Sequence, residues 1–339
     1  MTSRLTLDPR PLTTSALALV AGLLLLATGL ALAGYDPAAA LGAMWRGAFG
    51  SWTAFTSATL LRATPLIVIG LGFALALRAG ALNIGAEGQF YAGAIAATWV
   101  ALRAGALPAP LAVALTWLAG LAGGALWVLV PVVLKRRFGV LEVISTLLLN
   151  FVAEALVSLM VQGPMQEPSG IYPQSAAIPA AARLPFLPGT RLHLGFLAAI
   201  LLAAVLAFVL ARTVWGFRLR AAGAAPKAAE LIGRVDAGRF AGVGLLISGG
   251  VAGLAGAIEV SGVSYALYQN LSPGYGFTAI AVALLARGHP LGIVASGILF
   301  GALEAGAGAM QRDAGVPSVT VYVVEAVVIV VVLLAGRRR

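Results

Sequence analysis

The sequence predicts an all-α polytopic membrane protein, with about ten transmembrane helices and both termini on the cytoplasmic side. Three observations carry that expectation. First, 60% of the 339 residues are hydrophobic and 10% are charged, and a mean hydropathy of +0.99 exceeds what a soluble core of this size needs. Second, a helix crosses a bilayer with about 20 apolar residues. Stretches of that kind lie near 15–34, 63–78, 86–102, 108–134, 140–161, 193–211, 240–260, 276–286, 291–309 and 318–336. The stretch at 276–286 is too short alone and must borrow from Tyr275 or from the turn at Gly288. Third, basic residues stay on the cytoplasmic side during insertion. Ten crossings from an inner N-terminus place Arg4, Arg10, Arg78, Lys135, Arg136, Arg137, Arg212, Arg218, Arg220, Lys227, Arg234, Arg239, Arg287 and Arg337–Arg339 inside. Only Arg46, Arg62, Arg103, Arg183, Arg191 and Arg312 fall outside.

The net charge of +10 is therefore concentrated at membrane edges, where anionic lipid attracts it, and does not call for nucleic acid. There is no cysteine, which excludes disulfide frameworks, thiolate metal sites and thiol catalysis. His193 and His289 are the only imidazoles and lie far apart in sequence, so a histidine-rich metal site is not expected.

Taken in order, Arg4 and Arg10 precede an apolar run that ends Ala31-Leu32-Ala33-Gly34. At 15–33 the run is longer than the roughly 7–15 residues of a secretory leader, so an uncleaved first span is expected. Residues 35–62, with Trp45, Phe49, Trp52 and Phe55, read as an outer interfacial segment with its rings at headgroup level. The outer loop 162–192 carries Pro164, Pro168, Pro173, Pro179, Pro185 and Pro188, too many for helix, and is expected as an extended surface connection. A second outer segment runs from Gly262 to Gly274. The stretch 212–239 is cytoplasmic, and its middle fits a short helix. There Pro226 suits a first helical position, Lys227, Ala228, Ala229, Glu230 and Leu231 are helix formers, and Gly233 is a stop. Two readings stay open, a docking knob on the inner face or a positive loop that only fixes topology.

Polar residues inside spans are costly and mark function or structural pairing. Asn83, Glu87 and Tyr91 recur every four residues, with Gln89 close by, and share a face if the helix is continuous. If it begins near Ala86 instead, its free N–H groups point toward a ligand. On the fifth span Glu142, Thr146 and Asn150 recur in the same way, with Ser145 beside them. Both stripes admit a second reading, hydrogen bonds between helices. Glu259, Glu304 and Glu325 are further acids in or near spans. Gly120/Gly124, Gly249/Gly253 and Gly297/Gly301 each place two glycines on one helix face, which serves either sliding or static close packing.

Leu82-Asn83-Ile84-Gly85-Ala86-Glu87-Gly88-Gln89, Glu142-Val143-Ile144-Ser145-Thr146-Leu147 with Asn150, the Gly216–Gly233 segment, Gly274-Tyr275-Gly276-Phe277, Ile280–Leu285 and Pro290-Leu291-Gly292 occur in one order. Together they resemble the permease subunit of an ATP-binding-cassette importer, in the branch for simple sugars and nucleosides, and look most like the nucleoside permeases. The likeness covers roughly residues 60 to 335.

The resemblance implies a prokaryotic inner-membrane subunit that binds no cofactor. ATP would be hydrolysed by a cytoplasmic ATPase partner, which agrees with the lack of any Gly-x-x-x-x-Gly-Lys-Ser/Thr phosphate loop in the chain. It implies a second permease, identical or homologous, and an extracytoplasmic substrate-binding protein. The coupling element maps onto Arg218, Arg220, Gly223, Pro226, Lys227, Ala228, Ala229, Glu230 and Gly233. A nucleoside passage needs apolar walls and a few polar contacts. Tyr91, Tyr275 and Phe277 are candidates for the wall, and Asn83, Glu87, Gln89, Ser145, Thr146 and Asn150 for the polar contacts. An offset of five spans would relate spans two to five to spans seven to ten as an inverted repeat, although the sequence likeness between them is weak. A secondary transporter or channel for a small polar solute is the rival reading, but it gives no reason for the Gly216–Gly233 segment. A membrane-embedded enzyme would need a nucleophile and base at a recognisable spacing, and none is found.

Overall fold

A computed structural model describes residues 10–231, 233, 235–317, 319, 322 and 323. The expected tenth span at 318–336, with Glu325, lies almost wholly outside them. Among the described residues the chain is helical, with only isolated bridges in place of strands. The helices are α1 (Arg10–Leu32), α2 (Pro37–Phe49), α3 (Trp52–Ala54), α4 (Leu60–Arg78), α5 (Ala86–Ala101), α6 (Ala109–Phe138) and α7 (Glu142–Val161). They continue with α8 (Gly195–Arg212), α9 (Val214–Ala224), α10 (Pro226–Leu231), α11 (Ala237–Glu259), α12 (Tyr275–Leu285) and α13 (Pro290–Ala314). Among the described residues, six helical stretches are long and apolar enough to cross a membrane: Trp52–Arg78, Ala109–Phe138, Glu142–Val161, Gly195–Arg212, Ala237–Ser264 and Pro290–Ala314. Val20–Leu32 and Tyr275–Leu285 are shorter apolar helices. The chain is thus an all-α polytopic membrane protein.

The chain packs as two compact units. The first comprises residues up to Thr59 and those from Phe300 onward. The segment 35–62, expected at the interface, is mostly helix. Asp36 caps α2 by accepting from the N–H groups of Ala38 and Ala39 (2.9 and 3.2 Å), and Pro37 supplies a preset first turn. Leu26 and Leu30 of α1, Ala40 and Met44 of α2, and Leu303, Ala307 and Met310 of α13 form the core of this unit. Trp45 and Trp52 stay 65% and 68% exposed.

The second unit, Leu60–Leu299, has an inner and an outer set of helices. The spans containing α4 and α11 are 83% and 78% buried, whereas those of α6, α7 and α8 are 28% buried. Glycine explains how the inner helices come so close. A Cβ on Gly120 of α6 would stand 2.9 Å from the carbonyl oxygen of Gly253 in α11, and one on Gly253 would stand 2.8 Å from the Cα of Gly124. Gly93 of α5 abuts the same Gly253 backbone. The two glycine pairs read separately in the sequence therefore face each other.

The Pro-rich loop is more than a surface connection. Its prolines leave only a single 3-10 turn, Ala180–Ala182, and the N–H groups of Ser175, Ile178 and Leu184 donate to the carbonyls of Leu267, Tyr265 and Ser261 (2.7, 2.8 and 2.8 Å). The two irregular segments are thereby stitched into one cap, and Ile178, Ala182 and His193 are fully buried within it. The cap is met by a five-residue π-helical turn, Val260–Ser264, that ends α11.

Candidate functional site

The polar signature at 82–89 sits at a break. Gly80, at φ +82°, ends α4, residues 81–85 are non-helical, and α5 starts at Ala86. Of the two readings of this region, the helix start is the one realised, yet the N–H groups of Gly85 and Gly88 at that start are met within the chain. Asn83 Oδ1 accepts from Gly85 N–H (3.1 Å) and Gln89 Nε2 (2.8 Å). Asn83 Nδ2 donates to Gln89 Oε1 (2.7 Å) and to Ser248 Oγ on α11 (2.8 Å). Asn150 of α7 completes the clasp, accepting from Gly88 N–H (2.8 Å) and donating to the Ile84 carbonyl (3.0 Å). Asn83, Gln89 and Asn150 are all buried.

Glu87 faces a second helix start. Ser272 Oγ accepts from the N–H groups of Gly274 and Tyr275 (3.1 and 2.9 Å), Gly274 adopts φ +100°, and α12 begins. Glu87 Oε2 then accepts from Gly276 N–H at 2.6 Å. One carboxylate thus lies in the first turn of α5 and against the first turn of α12, the positive end of each helix. That placement favours a negative group by roughly 0.3–1 kcal/mol at each helix end. Gly276 is required there, because a Cβ would stand 2.7 Å from the Glu87 Cα. The Tyr91 hydroxyl bonds both the carbonyl and the N–H of Ser272 (3.3 Å each). Phe90 stacks edge-on with Tyr91 and Tyr275, at 5.7 and 5.9 Å between centroids.

The fifth-span stripe divides. Glu142 ties the α6–α7 turn through Lys135 Nζ at 2.6 Å. Thr146 Oγ1 donates to the Glu142 carbonyl (2.6 Å) and Ser145 Oγ to the Leu141 carbonyl (3.3 Å), both within the helix. Among the wall candidates Tyr91 and Tyr275 are buried, while Phe277 is 46% exposed. The stripe Glu142, Thr146 and Asn150 continues at the same spacing to Glu154 and Ser158. Glu154 is exposed in the middle of α7, and Ser158 Oγ accepts from Gln269 Nε2 (2.9 Å). The same spacing of four would have found both.

The stretch 212–239 holds two helices, α9 and α10, where one was expected. Thr213 Oγ1 accepts from Gly216 N–H (3.0 Å) and caps α9, a start signal present in the sequence. The expected short helix is α10. Gly233 closes it by donating to the Ala229 carbonyl (3.0 Å). Lys227, Ala228, Glu230 and Gly233 are exposed, as is Leu231 at 85%. Ala229 instead packs against Ala222, Val235 and Ala237. Arg218 is exposed and lines a groove of about 380 Å³ with Trp215, Asp236, Arg239 and Phe240. Arg220 is half-buried and within electrostatic reach of Arg78. Gly223 rests on the turn that ends α4, where a Cβ would stand 2.7 Å from Gly80 N. From that turn Arg78 Nε reaches the Gly288 carbonyl, at 3.1 Å, between α12 and α13.

Comparison with known proteins gives the family. Residues 55–333 match the family described as the permease component of the branched-chain amino acid transport system. A glucose ABC transporter permease protein of Haloferax volcanii is 36% identical over 97% of this chain and 90% of its own length. A guanosine ABC transporter permease protein of Bacillus subtilis is 36% identical over 95% of this chain and 92% of its own. A nucleoside ABC transporter permease protein of Lactococcus lactis is 32% identical over 92% and 88%. No solved structure matches the chain significantly. The chain belongs to this family of ABC transporter permease components, as a multi-pass protein of the inner membrane.

Proposed function

We propose that the protein is one of two membrane-spanning halves of an importer that moves a nucleoside, or a simple sugar, inward by alternating access. ATP hydrolysis belongs to a separate cytoplasmic subunit, cargo arrives on an extracytoplasmic binding protein, and this chain holds no cofactor. The second half is another permease, identical or homologous. Relatives named for guanosine, nucleosides and glucose support the cargo class.

The observation that carries the reading is the meeting of two short helices, α5 and α12, at their N-terminal ends through Glu87 and Gly276. At 16 and 11 residues they extend about 24 and 16 Å, less than the roughly 30 Å of hydrocarbon. They are the third and eighth of ten crossings, five apart, and each follows an irregular, glycine-containing turn. Short interrupted helices in corresponding halves mark the binding region of inverted-repeat transporters. This supports the ten-span topology with cytoplasmic termini. In this reading Asn83, Glu87, Gln89, Ser145, Thr146 and Asn150 shape the passage wall from behind, while Tyr91, Tyr275 and Phe277 bring ring surface to it.

The coupling path follows from contacts already described. Force on α10 passes through α9 and Gly223 to the Gly80 turn, and from there to the Asn83 clasp and through Arg78 to the α12–α13 turn. Exposed Lys227, Ala228, Glu230 and Leu231 form the docking face for the ATPase, with Arg218 beside them. Reconstitution with the cognate ATPase and binding protein tests the reading: uptake of guanosine or glucose is expected only with ATP inside, and ATP-independent uptake would refute it.

A further inference from the structure

A carboxylate left uncovered at mid-span must face either water or another protein, because lipid cannot solvate it. Glu154 is such a group. It lies between Asn150 and Ser158 on one face of α7, and both neighbours are engaged within the chain. Glu154 itself is exposed, and among the described residues it makes no hydrogen bond or ion pair. Its surroundings are those of a polyol site. The Tyr91 hydroxyl is within electrostatic reach of Glu87, Glu154 and Tyr268. Tyr268 and Phe277 are 37% and 46% exposed, Gln269 is half-buried, and Phe277 follows the Gly276 that bonds Glu87.

We propose that Glu154 lines the passage and accepts hydrogen bonds from vicinal hydroxyls of the cargo, with the exposed rings of Tyr268 and Phe277 covering its apolar face. The inference rests on the reading that the cargo is a nucleoside or a simple sugar, and it adds the subsite that both would use. A carboxylate accepts one hydroxyl on each oxygen with charge assistance, whereas an amide offers one neutral acceptor oxygen and meets a second hydroxyl as a donor.

The test uses the complete complex in proteoliposomes, with the binding protein loaded to saturation. Turnover of guanosine and 2′-deoxyguanosine is measured, with glucose and 2-deoxyglucose alongside, for wild type and Glu154→Gln. Because the binding protein is common to both complexes, its own preference cancels in the comparison. Loss of a charge-assisted hydrogen bond to a hydroxyl is expected to slow the ribonucleoside or hexose roughly tenfold or more, while the deoxy compound changes much less. An unchanged ratio between each cargo and its deoxy partner overturns the inference and leaves the importer reading standing. Dissociation of the permease pair by Glu154→Gln on gel filtration also overturns it, by assigning the residue to the contact between permeases. A wild-type complex that moves neither guanosine nor glucose overturns the cargo reading, and the inference with it.

Discussion

Replacing Asn83 by Ala removes four hydrogen bonds at once: two to the Gln89 amide, one to Ser248 and one from Gly85 N–H. Hydrogen bonds between membrane helices are worth about 0.6 kcal/mol each on average, which gives roughly 2.4 kcal/mol for the set. The Gln89 amide, 1% exposed, is then left without either partner, at a further cost of about 1–3 kcal/mol. The expected loss is therefore about 3–5 kcal/mol. Ser248→Ala deletes one of the four bonds and is expected to lose about 0.6–1.7 kcal/mol. Unfolding of the purified permease by titration with a denaturing detergent reads both values, and vesicle uptake is measured in parallel. If Asn83→Ala is as stable as wild type while uptake collapses, Asn83 touches cargo and the clasp argument is refuted. If Ser248→Ala costs as much as Asn83→Ala, the bond count is wrong.

Three further outcomes are expected. Gly253→Leu drives a side chain into the Gly120 carbonyl and the Gly124 backbone, and should destabilise the protein by at least about 1–3 kcal/mol in the same titration. Ala228→Arg, on the exposed face of α10, should abolish substrate-stimulated ATPase activity in a complex whose permease melts normally, whereas Ala229→Arg, on the packed face, should lower the melting temperature as well. His193 is held neutral by burial, which pushes its pKa down to about 4, while its Nδ1 accepts from Gly195 N–H (3.1 Å). The unfolded imidazole titrates near 6.5, so stability is complete above that pH and falls by about 3 kcal/mol as pH drops from about 6.5 to about 4. Melting curves across that range should lose this slope in His193→Leu.

The helices were legible where apolar length and glycine-proline punctuation agree. The spans from α4 to α8 and α11 to α13 fall within a few residues of their expected bounds, and α10 follows from Pro226 and Gly233. Hidden from the sequence was the pairing of distant parts. Nothing local in Gly276 shows that its N–H meets Glu87, nor in Gly120 and Gly124 that they face Gly249 and Gly253, because such contacts depend on how helices far apart in the chain are brought together. The cap is hidden for the same reason: the prolines of 162–192 rule out a long helix but do not show that Ile178 and Leu184 bond the carbonyls of Tyr265 and Ser261. Two misses had a local signal, Thr213 as a cap for α9 and Glu154 four residues beyond Asn150.

In the proposed importer, inward movement through this chain is driven from outside it, through α10. The most direct measurement is uptake of labelled guanosine into proteoliposomes containing the permease pair, with the ATPase subunit present, absent, or present beside Ala228→Arg permease. ATP-dependent accumulation is expected in the first case alone. Accumulation that persists without the ATPase would contradict the proposal.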